Sequence, residues 1–207
     1  MKAAVLAMAL AAVCAAGPRI VYSKDFPGSV PPWVNIAVEP SGEAVYKEAV
    51  NDPYPIPFKL REEETREIFR LADKLDHFTR PLESNLKVAK MGLKTFRYED
   101  GGRASEQKFN YSLDEDARAL ADWFERIIEC EQHLIRLERA VKYDRLGVND
   151  ALLKLQVTLE RKRLVAAEQF LPLLDRVIKN DSYMHMARER AASIADIIRS
   201  PGPSNPQ

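Results

Sequence analysis

Hydrophobic side chains recur along this chain at changing periods, and each change marks a boundary. Residues 3–17 form an uncharged run, rich in Ala with Val5, Leu6, Met8, Leu10 and Val13, behind a single early charge at Lys2. A positive start, about a dozen apolar residues and then small ones make the pattern of a secretory signal peptide. A membrane-spanning helix needs roughly 20 apolar residues, and Pro18-Arg19 ends this run sooner. The small residues place the cut after Ala15 or Ala16, which assigns residues 1–16 to a leader. A lipid anchor on Cys14 is not expected, because Ala11-Ala12-Val13 lacks a Leu three residues before the Cys and sets a bulky Val beside it.

Residues 18–111 alternate strand and turn signals. Val34, Ile36 and Val38 fall at period two with Trp33, Asn35 and Ala37 between them, so one face of a strand is apolar. Pro40-Ser41-Gly42-Glu43 reads as a turn, and residues 44–48 return as a hairpin partner. Ile56, Phe58 and Leu60 alternate again, but Pro55 and Pro57 demote that run to an edge strand. Ile68, Leu71, Ala72, Leu75 and Phe78 then step at helical spacing, which predicts a helix over residues 62–78 with Glu62, Glu63 and Glu64 at its positive end. Residues 95–99 and 106–111 form a second hairpin across Asp100-Gly101-Gly102. Between the helix and this hairpin, residues 82–93 fit no single period and are expected to hold at most part of a strand. The order is ββ(β)αββ.

From residue 112 to 200 the period is helical throughout. Ser112 and Glu115 have capping-box spacing. Leu120, Trp123, Ile127, Cys130, Leu134, Leu137 and Val141 then step by three and four along one long helix. Ala121, Phe124, Ile128 and Ile135 widen that stripe, so this helix is expected to meet more than one neighbour. Gly147 is placed as its C-cap, and Asn149 starts a helix with Leu152, Leu155 and Leu159 inward. Pro172 belongs in a first turn, which puts a break near residues 165–168 and a further helix to residue 179. Met184, Ala187, Ala191, Ile194 and Ile198 mark the last helix, and residues 201–207 are a Pro-rich tail. The expected fold is α+β: a small antiparallel sheet with one packed helix in residues 18–111, continuous with a helical domain in residues 112–200.

Composition changes this picture little. The 207 residues carry 31 basic and 31 acidic side chains and are 46% hydrophobic, ordinary values for a globular domain. With no surplus of Lys and Arg, a nucleic-acid partner is not expected. Loss of the leader removes Cys14 and leaves Cys130 alone, so no internal disulfide is expected in an exported chain of bacterial style.

Chemical motifs are sparse. The chain has no Gly-rich phosphate loop, GxSxG, HExxH or CxxC, and no catalytic residue, metal site or cofactor is expected from it. His77, His133 and His185 fall in separate predicted helices. Glu129 and His133 are four apart, but the residue three before His133 is Cys130, which breaks a Glu-x-x-His metal pattern and leaves a surface Glu–His pair. Met184-His185-Met186 points around a helix in three directions and cannot converge on one ion. Cys130 lies in the apolar stripe as core filling, flanked by two acids that raise a thiol's pKa. The run Glu62-Glu63-Glu64 with Glu67 reads as a solvated helix face.

Two aromatic-proline segments stand out, Pro31-Pro32-Trp33 and Asp52-Pro53-Tyr54-Pro55-Ile56-Pro57. Prolines there guard a sheet edge, and rigid loops of this kind can also bind a partner, which makes Trp33, Tyr54, Pro55 and Pro57 the candidate binding residues. The run from Phe26 to Trp33, the turn at Ser41-Gly42 and the helix Glu64-Thr65-Arg66-Glu67-Ile68-Phe69 resemble uncharacterised bacterial secreted proteins with a small β-rich domain. That resemblance implies export and an α+β fold and carries no activity. The expected protein is a monomeric, non-enzymatic envelope or secreted module that binds another protein or serves a structural role. The alternatives are an enzyme inhibitor or regulator acting through residues 52–57, and a hydrolase whose site is assembled from distant residues.

Overall fold

A computed structural model of the chain describes residues 17–200. The expected leader at residues 1–16 and the Pro-rich residues 201–207 lie outside the described residues. Six strands make one antiparallel sheet: β1 (Arg19–Asp25), β2 (Trp33–Val38), β3 (Glu43–Lys47), β4 (Ile56–Lys59), β5 (Leu93–Asp100) and β6 (Arg103–Phe109), in the order β4-β3-β2-β1-β5-β6. Helix α1 (Glu62–Lys74) stands between β4 and β5, and α2 (Glu115–Tyr143), α3 (Val148–Glu160), α4 (Leu171–Ile178) and α5 (His185–Arg199) follow the sheet. The α+β class read from the pattern is the observed one. No helix among the described residues is long and apolar enough to cross a membrane.

The central strand β1 is the element that the pattern did not mark, so four strands precede α1. Its alternation is short: Ile20 and Tyr22 point into the core, but the next inward position is Lys24, whose Nζ meets Glu125 on α2 at 2.7 Å. A cation on the buried face hides the period of two, and the apolar run of residues 3–17 just before it masks where the strand begins. Residues 81–92, ambiguous in the sequence, have no regular structure.

α1 and α2 cover one face of the sheet. That face supplies Ile20, Tyr22, Val34, Ile36, Val38, Tyr46, Phe58 and Phe96, all buried. Tyr22 stacks on Phe124 of α2 at 4.7 Å between ring centroids. Phe96 lies 5.1 Å from Phe78, 5.0 Å from Phe109 and 6.0 Å from Phe124, so one side chain joins β5 and β6 to α2 and to the turn that follows α1. Beyond Cys130 the same α2 stripe turns to a second core, where Leu134 and Leu137 pack with Leu152, Leu155, Phe170, Leu174, Ile194 and Ile198. The widened stripe is therefore used in series, first by the sheet and then by α3, α4 and α5. Trp123 is its half-exposed member, with the Arg126 guanidinium 4.2 Å above its ring.

Several helix ends differ from expectation. Asp114, not Ser112, caps α2: its carboxylate accepts the Ala117 N–H at 3.1 Å, while the Ser112 hydroxyl accepts the Asp114 N–H at 3.2 Å. A carboxylate at that position adds favourable charge at the positive helix end, which a hydroxyl does not. Gly147 is the N-cap of α3, because Asp144 closes α2 earlier and accepts the Gly147 N–H at 3.0 Å. Met184 is the exposed N-cap of α5 and not part of its buried stripe. Glu64 leaves the expected solvated face: it is buried and accepts the Arg61 N–H at 2.9 Å. Gly42 has φ +84°, and a Cβ there would lie 2.8 Å from the Leu60 carbonyl oxygen, so the β2–β3 turn requires glycine.

Truncating Phe96 to Ala opens a cavity among four aromatic rings. We expect it to cost about 3–5 kcal/mol of stability, read from urea unfolding, whereas Tyr54→Ala on the surface stays within about 0.5 kcal/mol of the unaltered protein.

Candidate functional site

With one face of the sheet covered, alternation sends the other set of side chains outward. The register aligns Val21 with Ala37, Ala37 with Val45, and Val45 with Pro57, so an apolar row of small side chains crosses four strands. No described element covers this row, and its members are half-buried or exposed. Polar groups border it. Glu99 accepts Arg97 Nε at 2.6 Å and Arg19 Nε at 2.5 Å. Partial burial works against ionisation of Glu99, but the two guanidinium groups outweigh it and hold the carboxyl below the usual range. Asn35 and Lys47 face each other across β2 and β3 on the same side. Between these groups lies a shallow depression of about 260 Å³ floored by Val21, Ala37 and Val45.

The candidate residues divide around this face. Trp33 begins β2 on it, directly opposite Asp25, and Pro57 stands on it in the edge strand β4. Tyr54 and Pro55 lie in the β3–β4 connection, both exposed. Asp52 braces that connection by accepting the N–H groups of Glu48 and Tyr54, each at 2.9 Å. These backbone hydrogen bonds pull the Asp52 carboxyl below its ordinary range.

Polar groups inside the helical layer form two clusters. In the first, Thr158 Oγ1 donates to Glu129 Oε1 at 3.0 Å and contacts His133 Nε2 at 2.9 Å, while Arg163 Nε meets Glu129 Oε2 at 2.9 Å. His133 and Glu129 are thus joined through a hydroxyl, where the sequence suggested only a surface pair. The connectivity matters chemically. In an activated nucleophile the imidazole takes the hydroxyl proton and the carboxylate orients the imidazole. Here the hydroxyl is committed to the carboxylate, and the imidazole donates to the hydroxyl oxygen. Burial lowers the His133 pKa, against the pull of the neighbouring Glu129 charge. The cluster joins α2 to α3 without activating Thr158.

The second cluster was missed by sequence reasoning. Glu131 is fully buried on α2, and its Oε1 accepts Gln169 Nε2 at 2.9 Å. Glu131 Oε2 and Gln169 Oε1 are both buried without a partner. A buried carboxyl that keeps its proton has a donor to offer, which the carboxylate lacks. Burial, with Glu138 adding repulsion, pushes the Glu131 carboxyl up to about 7 against the Gln169 hydrogen bond. One sequence signal was available: Phe124, Ile128, Glu131 and Ile135 share the widened apolar stripe, and a carboxylate among apolar positions is out of place.

The remaining candidates stay apart. His77 pairs with Asp73 at 2.8 Å and its ring lies 4.1 Å from that of Tyr98, tilted by 34°, and His185 meets Glu189 at 3.3 Å. Asp76, His77 and Phe78 have φ of +50°, +50° and +63°, a left-handed turn that swings Phe78 into the core. No two histidines share a hydrogen-bonding partner in these pairs. Cys130 is buried as expected, and desolvation pushes its thiol up to about 12. Among the described residues no group of three or more His, Cys, Asp or Glu is placed to hold a metal ion. No protein-family model matches the chain, and no curated protein matches it.

The buried Glu131 makes stability fall with rising pH. Below pH 4.5 both states keep the proton; between 4.5 and about 7 the unfolded chain releases it while the fold retains it. Above that window both have released it and the loss is complete. Its full size is roughly 3 kcal/mol. We expect urea midpoints of Glu131→Gln to lose this component of pH dependence relative to the unaltered protein.

Proposed function

We propose that the protein is an exported envelope or secreted module that binds another protein through the open face of its sheet. The observation that carries this reading is the uncovered row Val21–Ala37–Val45–Pro57 with its polar border. A small flat apolar strip ringed by charge is the usual anatomy of a binding surface. Trp33 and Pro57 lie on the same face, which places two candidate residues within reach of one partner. Export is supported by the leader pattern of residues 1–16 and by the lone cysteine, Cys130, in residues 17–207.

A second reading has its own observation. The Asp52-braced connection holds Tyr54 outward in a fixed loop, a shape suited to entering the cleft of an extracellular enzyme as inhibitor or regulator. The hydrolase alternative finds no support in the separate pairings of His77, His133 and His185.

The two readings separate by mutation. We expect the protein recovered from the periplasm or medium to begin at Ala16 or Gly17 by mass measurement, and to cross-link a partner there. Val45→Asp on the open face reduces that capture at least tenfold while Tyr54→Ala leaves it unchanged. The reverse pattern assigns binding to the loop, and capture insensitive to both removes the open-face reading.

A further inference from the structure

A cleft of about 660 Å³ lies at one end of the sheet, away from the middle of the open face and under the irregular residues 81–92. Phe26, Pro27, Leu86, Val88 and Leu93 supply its apolar lining. Leu86, Val88, Met91 and Leu93 are between 41% and 59% exposed, so four aliphatic side chains stand toward solvent within eight residues of chain. Exposed apolar side chains gathered in one place mark an interaction site more often than chance exposure does.

This segment is held in place and is not a slack connection. Glu83 Oε2 accepts the Asn110 N–H at 2.6 Å, and its Oε1 accepts the Asn85 N–H at 3.3 Å. Asn110 grips the other half: its Oδ1 accepts the Met91 N–H at 2.8 Å and its Nδ2 donates to the Ala89 carbonyl at 3.0 Å. Gly92 has φ +92°, and a Cβ there would lie 2.8 Å from the Phe26 Cβ, so the segment packs tightly on the β1–β2 connection. Backbone groups are therefore engaged inward while the aliphatic side chains face out.

Charge selects the partner. Within Leu86-Lys87-Val88-Ala89-Lys90-Met91 the lysines alternate with the apolar side chains, and among the described residues neither Lys87 nor Lys90 forms an ion pair. The segment's one acid, Glu83, is spent on backbone N–H groups, which hold its carboxyl ionised below its ordinary range. Asp25 is the other acid lining the cleft. Aliphatic side chains interleaved with unpaired lysines fit an interface that is apolar inside and anionic at its surface. An acidic peptide fits less well: residues 81–92 form no strand for it to pair with, and lysines lack the fork that grips carboxylates in pairs.

We propose that residues 86–93 are a membrane-surface contact, with Leu86, Val88, Met91 and Leu93 entering an anionic lipid surface and Lys87 and Lys90 lying at its headgroups. This contact is separate from the protein-binding row and stands or falls independently of it.

The full chain tests this with a reporter that reads the loop alone. A Met91→Cys substitution in a Cys14→Ser chain takes an environment-sensitive fluorophore, Cys130 being buried. Vesicles of phosphatidylcholine with an equal part of phosphatidylglycerol should shift its emission to the blue, pure phosphatidylcholine should shift it far less, and salt should weaken the effect. Adding Lys87→Gln and Lys90→Gln should raise the lipid needed for half the shift roughly thirtyfold. Emission unchanged by the anionic vesicles overturns the proposal, as does a shift that the glutamines leave intact. A shift that grows with protein concentration in the absence of lipid assigns the cleft to a second copy of the chain. A shift produced by polyglutamate but not by vesicles assigns it to an acidic peptide. Either result also overturns the lipid contact.

Discussion

Between α3 and α4 the chain must cross α2 and lie in the groove beside α1, and this crossing buries Val165 and Ala166 completely or nearly so. A backbone N–H taken out of water without a partner costs about 1–3 kcal/mol. The crossing is therefore stable only because other elements supply its acceptors. Val165 N–H reaches the Cys130 sulfur at 3.3 Å, and Ala166 N–H reaches the Glu64 carboxylate at 3.2 Å. Arg126 donates to the carbonyls of Lys162 and Arg163, and Arg163 in turn holds Glu129 and Asp122. Glu131 meets Gln169 one turn further on. Burial raises the Glu64 pKa despite the N–H groups of Arg61 and Ala166, the cost of using a carboxylate as a buried acceptor.

That crossing ties the two cores together at a second place. α2 alone would link them by a single stripe of side chains. Residues 163–169 add a second tie, from α1 and the first half of α2 to the start of α4. With the helices pinned in this way, all of them gather on one side of the sheet. The opposite face keeps its small side chains, its arginine–glutamate network and its solvent. The open face and the cleft at its end are consequences of one-sided coverage.

Much of the architecture was legible along the chain. The stripe from Leu120 to Val141, the break before Pro172 and both hairpins follow from spacing, because a helix or strand commits each residue to a face. Strand β1 was not legible, because Lys24 occupies an inward position and its charge makes sense only with Glu125 from α2 opposite. Glu64 was not legible as a buried group for the same reason, and Glu131 was legible only as a carboxylate out of place in an apolar stripe. Their partners, Ala166 and Gln169, are distant in sequence and could not be read from local context. The aromatic-proline segments were visible as unusual, but their relation to a shared face was not.

The sequence by itself determined the leader pattern, the α+β class, the order of most elements and the inert setting of Cys130, because these depend on neighbours within a few residues. Only the tertiary structure decided which side of the sheet stays open, that Trp33 and Pro57 share it, and that Asn110 and Glu83 lock residues 81–92 with aliphatic side chains outward. Alternation divides a strand into two faces but does not say which face the helices will cover. That choice belongs to the long-range contacts of α1 and α2, and so does every surface on which a partner is proposed to act.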